Sequence, residues 1–317
     1  VNTDLKYFLY RLKYRFAKHL PLEVPVDVSL ELASACNQAC GYCYHADKKH
    51  LPFKMGVMTY PTALNIIHQC AHLGVNSLKF NWKGESTLNP NFYNITKYAK
   101  GMAYGSTFID RLTNSNFKFD SHRDDIFLGL CNQTKVKVSF DSFIPEVMEK
   151  QRAGSIHALA MKNIDIFYNH PKRKNTEIVI QAVRTKLNKD EDIYGQAKKR
   201  WPEAEVSIRD MVGGRVNADL QALENRKRDS SQRQSCIQAH ARIIFNWTGK
   251  AFPCCVDIGE KLAIGDINHQ TVKQIFNSVN AKTLRKDLKD GKAFELDPCK
   301  TCSSFESYKG YKHPWGS

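Results

Sequence analysis

Leu30-Glu31-Leu32-Ala33-Ser34-Ala35-Cys36-Asn37-Gln38-Ala39-Cys40-Gly41-Tyr42-Cys43 closes an alternating apolar run that begins at Val26. The run predicts a buried strand, and the cysteines that follow are spaced C-x3-C-x2-C on a tight loop. Three thiolates on one loop can hold three irons of a cubane cluster. Most four-iron clusters take four cysteines, so a triad leaves one iron free to bind a small molecule and pass it an electron. A zinc site is the competing reading. It needs four ligands, and His45 and His50 are the nearby candidates for the fourth. Three buried structural thiols are the remaining alternative.

With 317 residues the chain can bury a full core and carry a smaller domain beside a larger one. No apolar run approaches the ~20 residues that cross a bilayer, and no signal-peptide pattern opens the sequence. Ten cysteines without such a signal suggest metal chemistry in a reducing compartment, so the cytoplasm is expected, with no membrane partner. The net charge of +15 speaks to partners rather than fold and favours a polyanionic substrate or surface, unless it is compositional drift toward lysine.

Outward from the cysteine loop, helix and strand signals alternate. Residues 1–25 hold a basic helix, Leu5 to Leu20, expected to pack Leu5, Phe8, Leu9, Leu12 and Phe16 inward with its charges in water. Thr59 caps a helix that runs to Leu73. Strands are expected at Ser77–Trp82, Thr107–Thr113, Val136–Phe140, Glu177–Val183 and Glu205–Arg209, separated by helices around Phe92–Lys100, Asp124–Leu130, Ile156–Asn169 and Ile193–Arg200. Repeated βα units argue for a parallel α/β sheet over 26–212, with chemistry on loops at the carboxyl ends of the strands. Residues 213–235, with Arg226-Lys227-Arg228, read as a linker, 236–303 as a small α+β unit with a long helix Val272–Leu288, and 304–317 as a tail.

The triad, with Tyr42 before its third cysteine, resembles the signature of the radical SAM superfamily. That resemblance implies a (β/α)6 partial TIM barrel, a [4Fe–4S] cluster on Cys36, Cys40 and Cys43, and S-adenosylmethionine (SAM) bound at the open iron. Further stretches fall in order at the ends of successive expected strands. Lys83-Gly84-Glu85 is similar to the family's Gly-Gly-Glu, with Lys83 replacing a glycine, either as a cation near the site or as a lysine turned to solvent. Thr113-Asn114-Ser115 resembles a Thr-Asn-Gly turn. The resemblance assigns Tyr42, Gly84, Glu85, Ser139, Asp141 and Arg152 to SAM, Arg152 on the cofactor carboxylate, for which a planar guanidinium is suited. Gln181 and Arg184 are candidate cavity residues.

Cys236, Cys254, Cys299 and Cys302, with Gly249 five residues before the second, resemble the twitch or SPASM module that holds an auxiliary [4Fe–4S] cluster. A four-cysteine zinc site has the same ligand count. Cys255 is an alternative to Cys254, and Cys70 and Cys131 fall on helical patterns as buried bystanders. One auxiliary cluster is expected, since no further cysteines follow, and no leader-binding domain is expected ahead of the first strand. The resemblance implies a SAM-cleaving enzyme reduced by a partner such as flavodoxin or ferredoxin. The charge and the basic-aromatic ends direct the expected substrate to a nucleic-acid base, as in DNA hypermodification. Peptide modification and a non-enzymatic nucleic-acid-binding module are the alternatives.

Overall fold

The computed structural model describes residues 3–105, 107–210 and 236–302. The expected linker 213–235 and the tail 304–317 therefore lie outside the described residues. Chain order runs α1 (Thr3–Arg15), β1 (Asp27–Leu30), β2 (Ala39–Cys40), α2 (Tyr60–His72), β3 (Ser77–Lys79), α3 (Phe92–Gly101), β4 (Asp110–Ser115), α4 (Asp124–Cys131) and β5 (Lys135–Ser139). It continues through α5 (Pro145–Gln151), β6 (Arg152–Ala153), α6 (His157–Tyr168), β7 (Glu177–Arg184), α7 (Ile193–Arg200) and β8 (Glu205–Asp210). After residue 235 come α8 (Ile237–Ala241), β9 (Arg242–Phe245), β10 (Lys250–Phe252), β11 (Gly265–Asp266), α9 (Val272–Phe276) and α10 (Val279–Lys289).

Strands β1, β3, β4, β5, β7 and β8 lie side by side in chain order, all parallel, as six βα units require. On the other edge β9 pairs parallel with β1, Asp27 opposite Arg242 and Leu30 opposite Phe245. The antiparallel strands β10 and β11 continue outward, so the cysteine-rich C-terminal region is welded into the same nine-stranded sheet.

Side-chain alternation divides the two faces of this sheet. Val28, Leu30, Leu78, Phe80, Val136, Val138, Ile178 and Ile180 are buried against the helices, where they meet Ile66 and Ile67 of α2, Ile126 of α4 and Ile164 and Phe167 of α6. The opposite face carries Ser29 beside Lys79, Asn114 beside Lys137, and Ser139 beside Gln181. Along β5, half-buried Lys135, Lys137 and Ser139 alternate with buried Val136 and Val138. The concave face is therefore polar and open, where a closed eight-stranded barrel would fill it with branched apolar side chains.

Several expectations need correction. The N-terminal helix ends at Arg15 and buries Tyr10 and Tyr14 rather than its alkyl stripe, leaving Leu5, Phe8, Leu9 and Phe16 exposed. The reason lies in what it covers: the strand starts present Asp27, Ser77 and Asp110, and these polar groups face Tyr10. Asp27 is wholly buried with Lys79 and Arg242. Burial opposes its ionisation, but the two cations more than offset this and hold its carboxyl below the usual range. The strand expected at Ser77–Trp82 stops at Lys79, so Trp82 belongs to the loop after it. The single helix expected at Val272–Leu288 is two. It breaks at Asn277 and restarts where the Ser278 side chain accepts from the Ala281 amide at 3.2 Å.

Candidate active site

The cysteine loop leaves the carboxyl end of β1 and is tied down from three directions. First, β2 pairs antiparallel with β6, setting Cys40 opposite Arg152 and Ala39 opposite Ala153, while the Gly41 amide donates to the Gln151 carbonyl at 3.1 Å. Second, Asn37 Nδ2 donates to the Lys118 carbonyl (2.6 Å), its Oδ1 accepts from Asn116 Nδ2 (2.7 Å), and Lys118 Nζ donates to its carbonyl (3.1 Å). Third, the Glu85 amide donates to the Ala35 carbonyl at 2.9 Å. A Cβ on Gly84 would fall 2.3 Å from the Ala35 carbonyl oxygen and 2.5 Å from that of Ala33, so only glycine lets these two loops approach.

Burial raises the Cys36 thiol to about 12, with Glu85, Cys40 and Cys43 adding to the rise. Burial also pushes the Cys40 thiol up, and Arg152 only partly offsets it. Thiols buried this closely would need a counter-charge such as bound iron to ionise together, so the donor set fits a metal cluster. Among the described residues no three ligating side chains converge on a single metal ion. His45 is not free to complete a zinc site through Nε2, which lies 3.1 Å from the Lys83 carbonyl.

Beside the loop, Asp141 is a fully buried hub. Oδ1 accepts from Arg152 Nη2 (2.8 Å) and the Val183 amide (2.9 Å), and Oδ2 from Tyr42 OH (2.7 Å) and Gln151 Nε2 (2.9 Å). Arg152 Nη1 lies 3.8 Å from Cys40 Sγ, its guanidinium stands 5.5 Å from the centre of the Tyr42 ring, and its Nε has no partner. Gln38 Nε2, two residues from Cys40, is also buried without a partner. Unmatched donors beside three thiols suit an acceptor-rich cofactor. Both oxygens of Glu85 are engaged within the chain: Oε1 accepts from Thr87 Oγ1 (2.8 Å) and Oε2 from the Asn116 amide (2.9 Å). Ser139 stands on the open face opposite Gln181. Arg184, three residues further along β7, falls by alternation on the other face.

Lys83 is neither solvent-facing nor aimed at the cysteine loop. Its side chain is 1% exposed, paired with Glu260 and 3.6 Å from Glu31, with its ammonium 4.1 Å from the Trp82 ring centre and 4.5 Å from that of Phe53. Burial pushes Glu31 up to about 7, with Lys83 partly offsetting it. Next to it Trp82 Nε1 donates to the Cys255 carbonyl at 3.0 Å and its ring packs on Phe252. The loop after β3 thus joins the N-terminal cysteines to the C-terminal ones.

At that second site Cys236 lies within electrostatic reach of Cys255 and Cys302, and Cys236 and Cys299 pack on the same small cluster of Ala239, Leu284, Leu288 and Ala293. Cys254 and Cys255 share a hydrogen bond. That bond, then Arg242 nearby, holds the Cys255 thiol below its usual range, while the same bond and burial push Cys254 up. Five thiols gathered around α8 and the β9–β10 hairpin supply enough sulfur for one fully ligated cluster. Cys70 and Cys131 lie apart, buried in α2 and α4.

A model of an iron–sulfur cluster-binding domain, SPASM, matches residues 236–303. An S-adenosyl-L-methionine-dependent 2-deoxy-scyllo-inosamine dehydrogenase of Niallia circulans is 28% identical over 82 residues, 26% of this chain and 33% of that protein. The matched stretch is thus a third of that relative. The crystal structure of BtrN in complex with AdoMet and 2-DOIA has a similar fold over 88% of this chain and 93% of that one, with TM-score 0.57 and 18% identity. Residues 236–303 thus match the SPASM iron–sulfur cluster-binding family, and the chain is similar over its remainder to proteins described with S-adenosyl-L-methionine. Streptococcus suis SuiB bound to precursor peptide SuiA shares the fold over 90% of this chain and 72% of that one, with TM-score 0.59 and 13% identity.

Sequence reasoning missed the residues that hold the motifs in place. Gln151, Asn37, Asn116 and Lys118 carry no family signature, and only their contacts reveal them. The nucleic-acid substrate expected from the charge finds no support among these relatives, which are described with 2-deoxy-scyllo-inosamine or a precursor peptide. No described helix is long and apolar enough to cross a membrane.

Proposed function

We propose that this chain is an enzyme that cleaves SAM reductively and removes a hydrogen atom from a peptide substrate held against the open face of its sheet. When bound, a [4Fe–4S] cluster and SAM would supply a 5′-deoxyadenosyl radical, the part of the chemistry no side chain can perform. Cys36, Cys40 and Cys43 would hold that cluster, and Tyr42, Gly84, Glu85, Ser139, Asp141 and Arg152 would shape the SAM site. Asp141 fixes the Arg152 guanidinium, whose remaining Nε–H is free for a carboxylate. Cys236, Cys254, Cys299 and Cys302 would hold a second cluster with every iron bound by protein, which suits electron transfer or structural support rather than substrate ligation. A cytoplasmic reductant such as flavodoxin or ferredoxin fits these needs.

The observation that carries the reading is the strap between β2 and β6, which sets a buried arginine beside a cysteine triad at the carboxyl end of a parallel sheet. A second reading, oxidation of a small polyhydroxylated molecule, is favoured by the likeness to the cyclitol dehydrogenase. The test is anaerobic reconstitution, iron and sulfide counting, and assay of 5′-deoxyadenosine with dithionite across peptide, cyclitol and nucleic-acid substrates. Deoxyadenosine that needs the triad and rises with peptide supports the proposal. Absence of deoxyadenosine from iron-loaded protein overturns it.

A further inference from the structure

Two cations on the concave face have no paired carboxylate among the described residues. Lys79 and Arg242 are committed to Asp27, and Lys135 to Glu177 at 3.0 Å and Glu205 at 3.9 Å. Glu31 faces Lys83, and Asp141 holds Arg152. Lys137 in mid-β5 makes no hydrogen bond or ion pair among the described residues, and Arg209 of β8 makes none either. The register carries both to one face: Lys137 lies beside Val179, and Val183, on the same side of β7, lies beside Arg209. Burial lowers the Lys137 ammonium to about 8, with Arg209, Lys79 and Lys135 lowering it further and Asp110 working against them. A half-buried ammonium facing other cations is an arrangement that folding alone disfavours. On the same face, Asn114, directly beside Lys137, and Asn81, which follows β3, each leave an amide oxygen buried without a partner.

We propose that Lys137 and Arg209 bind an anionic carboxylate or phosphate on the substrate, while Asn81 and Asn114 accept hydrogen bonds from donor groups beside it. This inference rests on the open face being the substrate site of the proposed enzyme, and it narrows the substrate to one bearing an acidic group. Lys137 and Arg209 then act as specificity-determining residues, Lys137 two residues before Ser139 on β5 and Arg209 two strands away on β8.

The test is reductive methylation of the reconstituted holoenzyme, with Lys137 read by peptide mass spectrometry against exposed Lys282 of α10. The probes are N-acetylglutamate amide, inorganic phosphate, and chloride at matched ionic strength. At a probe concentration about ten times its dissociation constant, the Lys137 rate falls roughly tenfold while Lys282 is unchanged. Protection by the carboxylate alone identifies an acidic side chain as the source, and protection by phosphate alone a phosphorylated one. Arg209→Gln removes most of that protection. Equal protection by chloride, or none by any probe, overturns the inference. Deoxyadenosine formation without substrate, measured in the same wild-type preparation, keeps this result separate from that of the proposed activity.

Discussion

Replacing Lys83 by Met tests whether the welded sheet is held by the buried charge bridge. The change keeps the apolar stem against Trp82 and Phe53 but removes the ammonium between Glu31 and Glu260. Breaking a buried pair costs about 3–5 kcal/mol when the remaining charge is stranded. Two features reduce that figure here. Glu260 keeps 24% of its side chain in solvent, and Glu31, already pushed up to about 7, can take a proton instead of staying charged. About 2–4 kcal/mol is expected. The sign of the pH dependence follows from Glu31. Its folded pKa is raised, so its contribution to stability is full below its unfolded value near 4.5 and is lost as pH rises through about 7. Without Lys83 the folded value rises further, and each added unit extends the loss by about 1.4 kcal/mol above neutrality. The deficit of Lys83→Met should therefore be larger near pH ~8.5 than near pH ~6. Anaerobic thermal unfolding reads this as a Tm lowered by roughly 4–10 °C at the higher pH and by clearly less at the lower. An unchanged Tm, or an equal loss at both pH values, would refute the bridge.

Gly84→Ala drives a Cβ into two backbone oxygens that cannot rotate away, so about 3 kcal/mol or more is lost. Iron per chain should fall by about half if two four-iron clusters are present. Asp141→Asn leaves the buried Arg152 charge without its partner, and an unfolding free energy lower by about 3 kcal/mol with weaker SAM binding by calorimetry is expected. Trp82→Phe removes one hydrogen bond to the Cys255 carbonyl and should cost about 1 kcal/mol while leaving iron content intact, as read by unfolding and metal analysis.

The strand order was legible because each βα unit carries its own periodicity and the connections are short. The cysteine triad was legible because its ligands are neighbours in sequence. What escaped the sequence depends on distant pairings. Nothing near Arg242 announces that it will sit against Asp27, so the merging of the C-terminal hairpin into the main sheet could not be read. The same holds for Lys83, whose partner Glu260 is 177 residues away. The N-terminal helix misled because periodicity identified an apolar stripe, whereas the surface it covers is polar and selects tyrosines. Gln151 and Asn116 act through their positions beside the cysteine loop, and no spacing rule marks them.

The most direct measurement is the electron paramagnetic resonance spectrum of the dithionite-reduced, anaerobically reconstituted protein with and without SAM. It should be compared with a Cys36→Ala, Cys40→Ala, Cys43→Ala variant that retains the C-terminal cysteines. The account predicts a signal that shifts when SAM is added and a residual signal in the variant that does not. A wild-type spectrum indifferent to SAM, or a SAM-responsive signal surviving in the variant, would contradict it.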